Sequence, residues 1–259
     1  MNAALVIARR DLGAVVRSRS QLYSSIFTPL LFLVFLGNGV SEGLEPSNLP
    51  AGNFTAYLVA GVIAMTAVFS STFSSASYYR DRDNGLLRLM LSSPAHPRTL
   101  LLGKSLAALV IGTVQALVVL AVASPFVDFQ WQHGKPAGVA IAVAAIVLLN
   151  LMLTGIAQSL ASRIQTMQGF HLLMNLALFP LLFFSGAFFP LDGLPAWLEV
   201  LALINPLTYA VDALELATYA SSDATFIGLG IDFVVLAVLS AAIYVLGLAR
   251  TPKLTYSGS

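Results

Sequence analysis

Polar residues in this chain come in short bursts, and between the bursts lie apolar stretches long enough to cross a bilayer. Hydrocarbon about 30 Å thick, climbed at about 1.5 Å per residue, calls for roughly 20 consecutive, mostly apolar residues. Six stretches meet that length, at 21–40, 55–79, 101–124, 137–162, 165–188 and 226–249. Pro29 and Pro180 fall inside the first and fifth, where neighbouring helices can satisfy the freed carbonyls. Ahead of the first stretch the pattern changes. Leu5, Ala8, Leu12, Val15, Val16 and Leu22 recur at three- and four-residue steps, with Arg9, Arg10, Gly13 and Arg17 opposite. That pattern predicts an amphipathic helix over residues 1–20, lying in the membrane interface. Arginines interleaved in this way do not read as a cleavable export leader. The expected fold is an all-α integral membrane protein, a single transmembrane domain over 1–259 with six spans.

The connections between spans are unequal. Spans four and five are joined only by a turn near Arg163, which predicts an antiparallel hairpin. The 80–100 loop is longer and rich in charge. The 189–225 segment is broken by Pro190, Pro195 and Pro206 into apolar pieces, AWLEVLALI and LTYAVDALELATYA, each too short to cross a bilayer. Such pieces suit re-entrant or interfacial helices.

Composition agrees with a membrane setting. Hydrophobic residues make up 58% of the 259 positions and charged residues only 10%, with a mean hydropathy of +0.85; a soluble domain carries about 25% charge. The net charge of +1 offers no handle for nucleic acid. The chain holds no cysteine, and its three histidines, at 96, 133 and 171, are too scattered to form a spaced ligand set. In a six-span arrangement Arg9, Arg10, Arg17, Arg19, Arg80, Arg82, Arg88, Arg98, Lys104, Arg163, Arg250 and Lys253 fall on one side, and Lys135 alone on the other. The positive-inside rule makes the crowded side cytoplasmic, and both termini with it. Glu42, Glu45, Asp128, Asp192, Glu199, Asp212, Glu215 and Asp223 fall outside, and Asp232 just within the outer end of span six.

Within the inner loop, Asp83 or Asn84 can cap a helix start, Leu86, Leu87, Met90 and Leu91 supply an apolar face, and Pro94 stops the run. A short helix with greasy and charged sides suits a groove on another protein, or else anionic headgroups. Gly103, Lys104 and Ser105 resemble the end of a phosphate loop, but Arg98 stands where its first glycine belongs and no strand precedes it. Nucleotide binding by this chain is therefore rejected, and ATP-driven work would need a separate ATPase. In span two Ser70, Ser71, Thr72, Ser74, Ser75 and Ser77 form a hydroxyl stripe, and in span five Gln168, His171 and Asn175 share a face. Each suits either a substrate path or close packing, within the chain or at a homodimer seam.

The strings SGAFFP, LPAWL and NPLTYAVDAL from Ser185 to Leu214, together with RDNG…SSP…GK from Arg82 to Lys104, resemble the permeases of type-2 ABC exporters, such as the daunorubicin-resistance and polysaccharide-export membrane subunits. The resemblance covers essentially the whole chain. It implies a half-transporter: two six-span permeases, here expected as a homodimer in the inner membrane, driven by two cytoplasmic ATPase subunits that hold ATP and Mg, with no cofactor on the permease itself. It further implies that Asp83, Asn84, Gly85, Leu86, Leu87 and Arg88 form a coupling helix seated in the ATPase. Pro190, Pro195, Trp197, Asn205, Pro206 and Tyr209 would shape an outer gate. The chain departs from the family at Arg88, often glutamate, and near Glu215, often arginine.

Other classes fare worse. An intramembrane hydrolase needs a nucleophile and base in contact, yet Ser185 lies 14 residues beyond His171, about 21 Å along one helix. A secondary transporter or channel usually buries ionisable groups near mid-membrane, and the spans offer little beyond His171 and Asp232. Few charges in the spans point to an amphipathic or lipid-like cargo, a drug or a lipid-linked glycan.

Overall fold

A computed structural model describes residues 3–41, 54–91, 97–127, 129, 131, 134–161, 163–191, 195–218 and 226–249. Pro94, Asp128, Asp192, Asp223, Glu42, Glu45, Arg250 and Lys253 lie outside them, as does the side chain of Arg88. The described residues form ten helices and no strand: α1 (Ala3–Arg17), α2 (Arg19–Ser41), α3 (Phe54–Asp83), α4 (Leu86–Leu91), α5 (Pro97–Ala123), α6 (Lys135–Ala161), α7 (Met167–Phe183), α8 (Ala196–Ile204), α9 (Pro206–Thr218) and α10 (Leu229–Ala249). Five of them, α2, α3, α5, α6 and α10, are long and apolar enough to cross a membrane.

The centre of the bundle is α3. It is apolar on every side for its first half, and a helix of that kind must be buried all round; from Phe54 to Val68 every position but Thr55 is buried. It touches α2, α5, α6, α7 and α9. Between α6 and α10 glycines let the backbones meet. A methyl group on Gly155 would lie 2.9 Å from Tyr244 Cα, and one on Gly247 would lie 3.0 Å from the Gly155 carbonyl oxygen. Small residues at such crossings permit the close approach on which membrane helix packing depends.

Three elements depart from their sequence outline. Helix α7 has 17 residues and stops at Phe183, short of the expected 188; its last carbonyls are taken up by a turn over 184–189 rather than by more helix. Asp83 and Asn84 close α3 instead of opening α4: Asp83 is the last residue of α3, the N–H groups of Asn84 and Gly85 donate to the carbonyls of Arg80 and Arg82, and Gly85, whose carbonyl accepts the Leu89 N–H at the start of α4, takes φ +71°, the left-handed end that glycine allows. Helix α1 forms as expected, with Ala8, Leu12 and Val15 of its apolar face packed inward and the charged Asp11 among them. Asp11 is buried with Ala8 and Val15, Arg10 is half-buried, and Leu5, Val6 and Val16 are exposed.

Candidate functional site

At one end of the bundle lie α1, the end of α3, α4, the start of α5 and the α6–α7 turn. Arg9, Arg10, Arg17, Arg80, Arg82, Arg98, Lys104 and Arg163 all belong to these elements, while Lys135 opens α6 at the other end. Helix α4 hangs from α3 by the two-residue turn at Asn84 and Gly85. Leu87 turns back into the core, 6% exposed, Leu86 is half-buried, and Leu89 points outward, 69% exposed. Asp83 and Asn84 are exposed beside it. The outward apolar position is thus Leu89, whereas Leu87 anchors α4 to the bundle.

Directly above this turn four charged side chains converge. Lys104 Nζ of α5 reaches Asp81 Oδ2 of α3 at 2.5 Å and Asp11 Oδ2 of α1 at 3.1 Å. Arg10 Nη2 reaches Asp11 Oδ1 at 2.6 Å and also pairs with Asp81 Oδ2. Ser77 joins them, accepting from Lys104 Nζ at 3.2 Å and donating to Asp11 Oδ2 at 3.3 Å. Two cations and two carboxylates balance, which makes burial tolerable: Lys104 and Asp11 show only 6% and 7% of their side chains. Burial works against the charge on Arg10, but the hydrogen bonds and charges of Asp81 and Asp11 outweigh it and raise its pKa. Removing one partner of such a pair leaves a buried charge uncompensated, at a cost of about 3–5 kcal/mol. A methyl group on Gly103 would lie 2.7 Å from the Ala4 carbonyl oxygen, so α1 is seated tightly on α5 at the same place.

The hydroxyl stripe of α3 divides among several environments. Ser77 belongs to the charge cluster. Ser74 lines a cavity of about 20 Å³ with Ser75, Lys104 and Gln158, room for a single water. Ser70 is buried and among the described residues its hydroxyl has no partner; with Ser25 and Gln115 it borders a smaller cavity of about 10 Å³. The α7 residues are not brought to these serines. Gln168 and Asn175 are exposed on α7, and His171 is wedged between the rings of Phe73 and Phe170, with centroids 6.5 and 5.7 Å away. Ser185 lies past the end of α7, its hydroxyl donating to the Leu182 carbonyl at 2.7 Å.

At the opposite end, α8 and α9 meet at an angle of 89°. Asn205 is their hinge. Buried to 4% exposure, it donates from Nδ2 to the Leu181 carbonyl at 2.5 Å and accepts the Leu207 N–H at 3.0 Å. One side chain thereby satisfies a carbonyl left over at the end of α7 and an amide at the start of α9. Pro206 opens α9, where its missing N–H costs nothing. Tyr209 donates to the Leu203 carbonyl at 2.7 Å and holds the bend. Trp197, Pro190 and Pro195 are exposed. The turn after α7 is pinned to α3 by Tyr57, whose hydroxyl donates to the Gly186 carbonyl, and by Gly61, where any side chain would strike the Ala187 carbonyl. Sequence reasoning passed over Tyr57 and Gly61, and also Asp11 and Asp81.

The family profile described as ABC-2 type transporter matches residues 2–219. Among curated proteins the chain is 27% identical over 216 residues to a protein of Cyanophora paradoxa named as the transport permease ycf38, covering 81% of this chain and 72% of that one. It is 29% identical over 159 residues to an Escherichia coli K12 protein named as the multidrug ABC transporter permease YbhR, covering 60% of this chain and 42% of that one. It is 25% identical over 198 residues to nodulation protein J of Rhizobium leguminosarum bv. trifolii, covering 76% and 73%.

Proposed function

The chain belongs to the ABC-2 type transporter family, and from that premise we propose that it is the membrane-spanning half of an ATP-driven exporter in the inner membrane. It is the permease and not the motor. ATP and Mg2+ are held by a cytoplasmic ABC ATPase, present in two copies beneath two copies of this chain. In this reading α2, α3, α5, α6, α7 and α10 are the six spans, with both termini and the basic end of the bundle in the cytoplasm. Helix α1 lies along the inner interface, and the bent α8–α9 pair is a re-entrant gate at the outer end. The apolar faces left open on α2, α7 and α10 meet lipid and the second copy, and the cargo is amphipathic or lipid-like.

The observation that carries this reading is the passage from α3 into α4. A motor moves a pore only through contacts that differ between its own two states, and α4 offers such a contact: an exposed apolar residue, Leu89, on a helix joined by a two-residue turn to the central helix of the bundle. The test is reconstitution with a cognate ATPase. Leu89→Asp is expected to abolish co-purification of the ATPase and permease-dependent ATP hydrolysis while the permease still inserts and melts normally. Full ATPase association and coupled hydrolysis in that variant would remove α4 from the role.

A further inference from the structure

The charge cluster joins three helices, of which α5 packs against both α1 and α3, at the place where all three meet. Arg10 and Asp11 come from α1, Asp81 from α3 and Lys104 from α5, and Asp81 is followed within α3 by only two more residues before the turn that carries α4. The contacts are reciprocal. Asp11 is held by both cations, and so is Asp81, so neither α1 nor α5 can shift along α3 without unpairing a buried charge. Apolar contacts slide at little cost, whereas a buried ion pair with fixed hydrogen bonds has one good geometry. Ser77, one turn earlier on α3, adds two hydrogen bonds to the same cluster.

We propose that Arg10, Asp11, Asp81 and Lys104 are positioning residues that lock the interfacial helix to the coupling helix, so that α1, the end of α3 with α4, and the start of α5 move as one body. This rests on the reading of α4 as the part the motor grips. It goes beyond that reading by giving α1 a mechanical role: displacement of α4 drags a helix lying along the membrane surface, and so spreads the push from one loop over three helices.

The test uses the absence of cysteine from the chain. Spin labels at Val16→Cys of α1 and Arg82→Cys at the end of α3, both exposed and both away from the Leu89 contact, report the distance from α1 to the root of α4 in the full chain in lipid nanodiscs, alone and bound to its ATPase trapped with ATP and vanadate. The expected result is one narrow distance peak, unchanged on trapping. The double variant Arg10→Met with Asp81→Asn removes one cation and one carboxylate together, breaks the ion pair between α1 and α3 so that only the Ser77–Asp11 hydrogen bond joins them directly, and leaves Asp11 paired with Lys104. It is expected to broaden or split the peak with little loss of melting temperature. Lys104→Met leaves two carboxylates sharing one cation and is expected to fold poorly, so the balanced pair carries the decision. A parent peak that shifts on trapping overturns the proposal, and so does a double variant whose peak stays narrow. The comparison of parent and double variant is made in the unbound chain and needs no ATPase, so a failure of Leu89→Asp to release the ATPase would sink the coupling role of α4 and leave the lock to be judged by that comparison.

Discussion

Asp232 stands in the first turn of α10, wholly buried, beside Asp212 of α9. The two carboxylates are treated very differently by their surroundings. Asp212 accepts the N–H groups of Phe226, Ile227 and Gly228 at 3.2, 3.1 and 3.3 Å, and so caps the chain as it enters α10. Among the described residues no N–H group reaches either oxygen of Asp232. Asp212→Ala should therefore leave three amides without their acceptor and lower stability by about 1–3 kcal/mol. Asp232→Asn should leave stability unchanged or raise it, because a neutral amide removes the penalty of a carboxylate buried beside the Asp212 carboxylate. Thermal melts of the two variants in one detergent check the order, and an Asp232→Asn protein less stable than Asp212→Ala would refute it. The same scale shows why the charge cluster was illegible. Arg10 and Asp81 are 71 residues apart, and Lys104 lies on a third helix. No spacing rule links such residues, since only the packing of three helices brings them together. Asn205, by contrast, could be picked out, because an asparagine before a proline between two short apolar pieces marks a turn.

At the scale of elements, most of the bundle was legible and its interruptions were not. Long apolar runs gave α2, α3, α5, α6 and α10 because a helix in hydrocarbon needs that length. The run from 165 to 188 overshot α7 because the turn over 184–189 is itself largely apolar: its middle, 185–188, is buried, and composition does not tell burial in protein from burial in lipid. What stops the helix is local, Gly186 at φ +85° and the Asn205 side chain on the Leu181 carbonyl. Helix crossings were equally hidden, because a glycine in an apolar run does not name the helix it meets. The α6–α10 crossing gives a direct test. A side chain on Gly155 would meet the Tyr244 backbone at 2.9 Å, and backbone cannot swing aside as a side-chain tip can. Gly155→Val is expected to cost about 1–3 kcal/mol through overpacking. Gly39→Ala, with open space around it, is expected to be neutral or favourable, since alanine is the better helix former by up to about 1 kcal/mol. Equal melting temperatures for the two variants would mean that α6 and α10 do not approach as closely as the glycines allow.

For the molecule as a whole, the deciding asymmetry is the distribution of charge between its ends. The elements around α4 hold the described basic residues except Lys135 and Arg19, which opens α2 next to α1, while Glu199, Asp212, Glu215 and Asp232 lie at the α8–α9 end. Insertion retains lysine and arginine on the cytoplasmic side and takes little account of acidic residues, so this pattern is what supports the proposed orientation. The proposed exporter needs α4 in the cytosol, with the bent pair at the exit. The absence of cysteine lets one residue at a time report its side. Leu89→Cys should react with a membrane-impermeant maleimide in inverted vesicles and stay unlabelled in intact spheroplasts, and Trp197→Cys, 64% exposed on α8, should do the reverse. The opposite labelling would put α4 where no cytosolic motor reaches it. The charge cluster would then be a device for stability alone, and the bent pair α8–α9 would face the cytosol as an entrance.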